Sequence, residues 1–428
     1  MRPSASAVPR PRSDANALPP RMTVLALLSG LLLLALVLQD AFEVMLLPRR
    51  IVRRWRLMRA YFRVTWTAWA TLARALPEGA RRERFLSIYG ALSMMVLFAL
   101  WDASLILAFA LIQWGVQSAS GYSPTLGQQA YLSGVTFFTL GYGDVLPQGG
   151  LARTIAVIEA GVGFGVIAVV IGYLPVLYQL FSRREAHVIQ LDARAGSPPT
   201  SSGMLRRHAE SDGLDKLDEL LRAWEIWGAD LLESHLSYPM LAYYRSQHDD
   251  QSWLGALTAI MDTCALILVG VEDVKPLQAR MTFAMARQVV VELVRSLDLP
   301  AMRPHQSERL PPADYARMID GLAEAGLKWN GGTQGEEILA AVRATYEPPI
   351  QALADYLLIS LPGWLPSDDT PDHWERGPRG IIARRLVQGL SAGSLQSASP
   401  SHKPSRWKLP TRRRAAPRKS PPPRLPEQ

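Results

Sequence analysis

The stretch Thr136-Phe137-Phe138-Thr139-Leu140-Gly141-Tyr142-Gly143-Asp144 places two threonines and two glycines where a short length of backbone could turn its carbonyls to one side. A cation that sheds its water shell needs replacement oxygens that hold it without trapping it, and backbone carbonyls meet that need. The carbonyls of Thr139, Leu140, Gly141 and Tyr142 would stack as successive rings, with the Thr139 hydroxyl at the inner end. For them to point the same way, alternate residues must leave the ordinary dihedral regions, which Gly141 and Gly143 allow at little steric cost. The chemistry is dehydration and coordination of a cation, with no covalent bond made or broken.

Such a loop has to be held by its neighbours, and the flanking sequence supplies apolar segments. Residues 1–21 carry Pro, Ser and Arg without periodicity and read as a disordered tail. Met22 to Leu47 is apolar enough for a membrane span, which takes about 20 residues. Asp40 and Glu43 stand where a signal-peptide cleavage site would need small residues, so a retained helix is expected. A basic, aromatic segment at 48–84 follows, then an outer transmembrane helix at 85–117, interrupted only by Asp102. A pore helix and the carbonyl loop are expected over 124–148, with an inner transmembrane helix at 151–182 that stops at Arg183-Arg184. Residues 183–212 are rich in Ser, Pro and Gly and read as a linker.

Apolar residues then recur at helical spacing. Leu214, Leu217, Leu220, Leu221 and Trp224 lie on one face, and similar patterns return at 276–297, 313–327 and 335–360. The chain over 213–365 is expected as an all-helical soluble domain, and 366–428 as a disordered basic tail. Leu254 to Val271 could pass for a further span, but Asp262 sits in its middle and charges flank it, which favours a buried core helix. Cys264 is the single cysteine, so no intrachain disulfide can form.

The mean hydropathy of +0.04 averages very apolar segments with a polar, Pro-rich end. The net charge of +8 is concentrated beside the apolar segments and in the tail from Lys403 to Arg424, which points to anionic lipid; no nucleic-acid recognition motif accompanies it. Residues 115–150 contain neither Lys nor Arg whereas 48–84 are strongly basic, so the loop is expected outside and everything after 182 in the cytoplasm. Three spans then place the N-terminal tail outside.

The T-x-x-T-x-G-Y-G-D pattern between two apolar segments resembles the pore-loop potassium channel superfamily, in its simple form of outer helix, pore helix, filter and inner helix. The resemblance covers about 85–182, and an additional N-terminal transmembrane helix precedes it. It implies an all-α membrane protein acting as one subunit of a homotetrameric, potassium-selective channel in the plasma (inner) membrane, with potassium bound at Thr139, Leu140, Gly141 and Tyr142. Thr136 and Asp144 match family positions, and Tyr131 is the candidate partner for Asp144 because no Glu lies one turn before the filter. Leu140 replaces the usual valine and Phe138 a common threonine. One pore loop cannot enclose an ion path, so four copies are needed. A potassium transporter subunit, which would repeat the unit within one chain, and a nonconducting scaffold are the alternatives.

Gly161, Gly163, Gly165 and Gly172 on the inner helix either permit close packing or, with Pro175, form a hinge and a gate near Tyr173 and Leu174. Arg50, Arg53, Arg56 and Arg59 have sensor-like spacing, but Arg49, Arg54 and Arg63 occupy other faces. An amphipathic helix at the membrane surface is expected instead, with Trp55, Tyr61, Trp66 and Trp69 at headgroup depth. His235, Tyr243, Tyr244, Arg245 and His248 could hold an anion or metal, though a satisfied polar helix end accounts for them better. No G-x-G-x-x-G after a strand, P-loop, zinc spacing or nucleophile motif is present, so neither an enzyme nor a cofactor is expected, and the regulatory ligand is not legible.

Overall fold

A computed structural model describes residues 19–45, 57–210, 213–247, 251–272, 274–300 and 308–366. The described residues fall within one compact unit, and everything after 366 lies outside them, as do Arg49, Arg50, Arg53, Arg54, Trp55, Arg56 and His248. The described residues are helical, with a single isolated bridge between Val271 and Trp329.

Among the described residues, three helices are long and apolar enough to cross a membrane: α1 (Pro20–Met45), α3 (Ala80–Ala119) and α5 (Gly150–Ala195), with α2 (Leu57–Arg74) and α4 (Leu126–Phe137) between them. Helices of 40 and 46 residues rise about 60 and 70 Å, twice the hydrocarbon thickness, so α3 and α5 extend well beyond any bilayer. α1 runs antiparallel to α3. Gly30 lies so close to α3 that a Cβ would meet the Ala108 carbonyl at 2.8 Å, and further along Trp101 Nε1 donates to Asp40 Oδ2 at 3.1 Å.

The remaining helices are α6 (Ser201–Glu210), α7 (Leu214–Ser237), α8 (Trp253–Val269), α9 (Pro276–Ser296), α10 (Pro312–Glu324), α11 (Gly335–Arg343) and α12 (Glu347–Leu357). α8 is the axle of this domain: every residue from Trp253 to Ile267 is buried. Asp262 lies within it because Arg309 meets its Oδ2 at 2.6 Å and the Tyr346 hydroxyl donates to Oδ1 at 2.6 Å. Leu217, Leu220, Leu221 and Trp224 of α7 all face this core. Burial pushes the Cys264 thiol up and leaves it inert.

Two expectations need correcting. Residues 183–212 are not a linker: α5 continues unbroken to Ala195, and after a tight turn α6 begins at Ser201. Leu191, Ala195, Met204 and Leu205 are buried. The short polar side chains that suggested flexibility hold the turn instead, with Ser202 Oγ donating to the Trp364 carbonyl at 2.6 Å and Thr200 Oγ1 accepting from the Gly203 N–H at 3.2 Å.

Nor do the α2 aromatics project to headgroup depth. Trp66 is 2% exposed, packs against Tyr89 and Tyr243, and donates from Nε1 to the Tyr356 carbonyl at 2.9 Å. Tyr61 donates to the Ser93 carbonyl at 2.7 Å, and Trp69 stacks on Phe85. The amphipathic face is real, but it is buried against α3 and the C-terminal domain. Protein surface outcompetes the interface here because it satisfies the ring N–H and hydroxyl groups as well as the rings.

Candidate pore loop and its supports

α4 begins with a capping box: Thr125 Oγ1 accepts from the Gln128 N–H at 3.2 Å while Gln128 Oε1 accepts from the Thr125 N–H at 3.1 Å. It ends at Phe137, and the chain then turns back on itself. The Leu140 N–H donates to the Val135 carbonyl at 2.8 Å and the Gly141 N–H to the same oxygen at 3.2 Å. Thr139, Gly141 and Gly143 have φ of 56°, 57° and 79°. Every second residue of the loop is thus left-handed, and the intervening Leu140 and Tyr142 are not. Thr139 is notable, since a β-branched residue rarely adopts positive φ without a functional reason.

The Tyr131 hydroxyl donates to Asp144 Oδ2 at 2.9 Å, joining α4 to the far end of the loop. Tyr131→Phe is expected to leave the fold intact but to speed the decay of ion flux during sustained activation, which flux time courses would show.

Behind the loop lies a polar network that sequence reasoning missed, because Gln113 and Gln117 fell at the end of a span and Gln129 in the separate pore-helix segment. Gln117 Nε2 donates to Gln129 Oε1 at 2.7 Å and to Gln113 Oε1 at 3.3 Å, while Gln117 Oε1 accepts from the Gln148 N–H at 3.2 Å. Gln113 Nε2 donates to the Ala152 carbonyl at 2.9 Å. One glutamine cluster on α3 therefore holds α4, the segment after the loop and the start of α5.

The inner-helix glycines separate into two kinds. A Cβ on Gly163 would sit 2.1 Å from the Phe137 carbonyl, so Gly163 lets α5 touch the end of α4, whereas Gly161, Gly165 and Gly172 have open space beside them. Pro175 lies inside an uninterrupted α5. Tyr173 packs within this chain, with its hydroxyl on Met240 Sδ at 3.4 Å, while Leu174 is exposed. Of that pair, only Leu174 is free to line an opening.

A pair of apolar helices flanking a short helix and a carbonyl loop of alternating handedness is the geometry found here, and a family comparison agrees with it. Residues 85–179 match the profile of the family described as "Ion channel". This segment is similar to a pore-loop ion-channel module. The wider chain is less familiar. It is 23% identical over 197 residues to the uncharacterized membrane protein YdjJ of Bacillus subtilis, an overlap of 44% of this chain and 56% of that one. The chain thus spans little more than half of that relative. No solved structure matches it.

The pore-loop module is tied to the C-terminal domain by Arg184, just past the apolar part of α5. Arg184 is buried, bonded to Glu185, and donates to the Leu241 carbonyl at 2.9 Å and the Tyr244 carbonyl at 2.7 Å. The cluster around His235 serves this junction. Arg245 bonds the Leu357 and Leu358 carbonyls at the end of α12, at 2.6 and 2.9 Å, and pairs with Glu83 at 3.4 Å. No metal-holding group of His, Cys, Asp and Glu occurs among the described residues.

Burial, reinforced by the Arg184 charge, pushes the His235 pKa down to about 3, so the ring stays neutral. The unfolded chain takes up a proton near pH 6.5 that folded His235 refuses. The stability contributed is therefore complete above pH ~6.5 and drains away as pH falls towards 3. Melting temperatures of the purified protein are expected to fall across this window, and His235→Gln should flatten that part of the curve.

Proposed function

We propose that this chain is one subunit of a homotetrameric, potassium-selective channel that conducts passively across the plasma (inner) membrane, with its C-terminal helical domain in the cytoplasm. The alternating handedness of Thr139, Gly141 and Gly143 carries this reading. Left-handed backbone at every second position presents consecutive carbonyls on one side, which is what dehydrated potassium requires. Permeant potassium is the only ion the reading needs, at Thr139, Leu140, Gly141 and Tyr142, and no cofactor or enzymatic step enters it.

Assembly is supported by what one subunit leaves open. Tyr142 is 68% exposed and Leu140 53%, although the loop is surrounded by apolar sequence. Val157, Ile158, Phe164 and Ile171 are exposed along α5, an apolar surface suited to neighbouring copies and lipid. The basic segment and tail would meet anionic lipid. Gating follows from the continuity of α5: an inner helix rigidly extended to Ala195 carries motion of the C-terminal domain directly to the pore.

Potassium flux into liposomes containing only this protein tests the reading. Saturating flux for potassium over sodium, from a particle with the mass of four chains, is expected. Flux with no preference, transport that needs a second protein, or no flux at all would each contradict it.

A further inference from the structure

Glu159 lies inside the apolar inner helix, one turn before Gly163, with no exposure to solvent. Its Oε1 meets Ser133 Oγ of α4, and Ser133 Oγ also lies 2.8 Å from the Ile106 carbonyl of α3. Three helices thus meet at one hydroxyl. A serine carries a single proton and a carbonyl can only accept, so the protons in this cluster can be counted. If Ser133 donates to Ile106, the contact with Glu159 is satisfied only when the carboxyl is protonated and donates to Ser133 Oγ. The opposite arrangement would leave an ionised carboxylate in an apolar span with one hydrogen bond, because Glu159 Oε2 has no partner among the described residues. A buried charge held that poorly is far more costly than a neutral acid with one unpaired oxygen.

We infer that Glu159 is held as a neutral acid in a Glu159–Ser133–Ile106 hydrogen-bond relay, and that this relay is a positioning device locking the pore helix, and so the filter, to the inner helix. Gly163 adjoins it. Its contact with the Phe137 carbonyl demands that α5 and α4 stay closed at this level, and the relay supplies a directional bond that does so. Movement of α5 that separates the two helices would break the relay and release the end of α4 from which the filter departs. The functional half of the inference rests on the channel reading; the protonation half does not.

Infrared difference spectra of the purified protein, wild type minus Glu159→Gln, test the protonation directly. A carboxylic-acid carbonyl band lost in the variant is expected, and its absence would overturn the inference. Flux in liposomes tests the positioning role. The side-chain amide introduced by Glu159→Gln still presents an N–H to Ser133, so this variant is expected to keep the wild-type potassium-to-sodium flux ratio. Glu159→Leu lowers the ratio about tenfold, the size of one lost buried hydrogen bond. If Glu159→Leu does not assemble, Ser133→Ala, which removes the bridging hydroxyl, carries the same expectation. An unchanged ratio in the relay-breaking variant, or an equal loss in Glu159→Gln, would overturn the positioning role. A wild type without potassium preference would instead contradict the channel reading, and the infrared result would still decide the state of Glu159.

Discussion

Alanine at Gly141 or Gly143 is expected to abolish potassium-selective flux while leaving the helices folded. Both glycines have φ well inside the left-handed region, at 57° and 79°. An L side chain there costs about 1–2 kcal/mol per residue. In the proposed tetramer four copies would share one filter, so a single substitution would impose about 4–8 kcal/mol on the assembled loop. Since about 1.4 kcal/mol is a factor of ten, the conducting geometry should lose about a thousandfold or more in population. Within one chain the space beside both glycines is open, so the strain there comes from the backbone. Gly121 is the natural control. It has φ of 85° in the turn after α3, away from the carbonyl loop, and Gly121→Ala should cost similar strain in each chain yet preserve selectivity. Circular dichroism and the flux ratio, measured on all three variants, separate a filter effect from a folding effect.

The second large effect is expected at Arg184. Its guanidinium satisfies the Leu241 and Tyr244 carbonyls and Glu185, and lies over the rings of Phe181 and Trp253 at 5.3 and 5.9 Å. Arg184→Met removes all of these and strands a buried Glu185 carboxylate, a loss of about 3–5 kcal/mol. Arg184→Lys should fare little better, because one ammonium cannot reproduce a planar fork directed at several acceptors. The melting temperature of the purified protein is expected to fall sharply in both variants. In liposomes, flux should persist but lose its response to any perturbation confined to the C-terminal domain, since the anchor between α5 and that domain is gone. Flux that keeps such a response would show that coupling runs by another route.

Much of the arrangement was legible in the sequence for definite physical reasons. The three long apolar helices stand out because hydrocarbon tolerates neither unsatisfied backbone nor most charged side chains, so each carries a long apolar window. Gly141 and Gly143 stand out because few residues other than glycine take their conformation readily. Asp262 marked α8 as a core helix rather than a span, and the Arg309 and Tyr346 contacts are the reason.

What stayed hidden were contacts between elements distant in sequence. Trp66 looked like an interfacial anchor, and nothing local announces its partners Tyr243 and Tyr356. Ser197 to Ser202 looked like slack, since capping side chains and flexible ones share a composition. Gln117 was a polar residue at a span's end until Gln129 and Gln148 were brought to it. Glu159 is different. An ionisable residue inside an apolar span is itself a signal of function, and the reading of the inner helix passed over it in favour of the glycines.

The central claim is that the loop from Thr139 to Gly143 conducts potassium in preference to other cations. Unitary currents from the purified protein in a planar bilayer, with potassium chloride on one side and sodium chloride on the other, test it most directly. The current is expected to reverse close to the potassium equilibrium potential and to shift with the potassium gradient alone. Reversal near zero, or a shift that follows sodium equally, would contradict the claim.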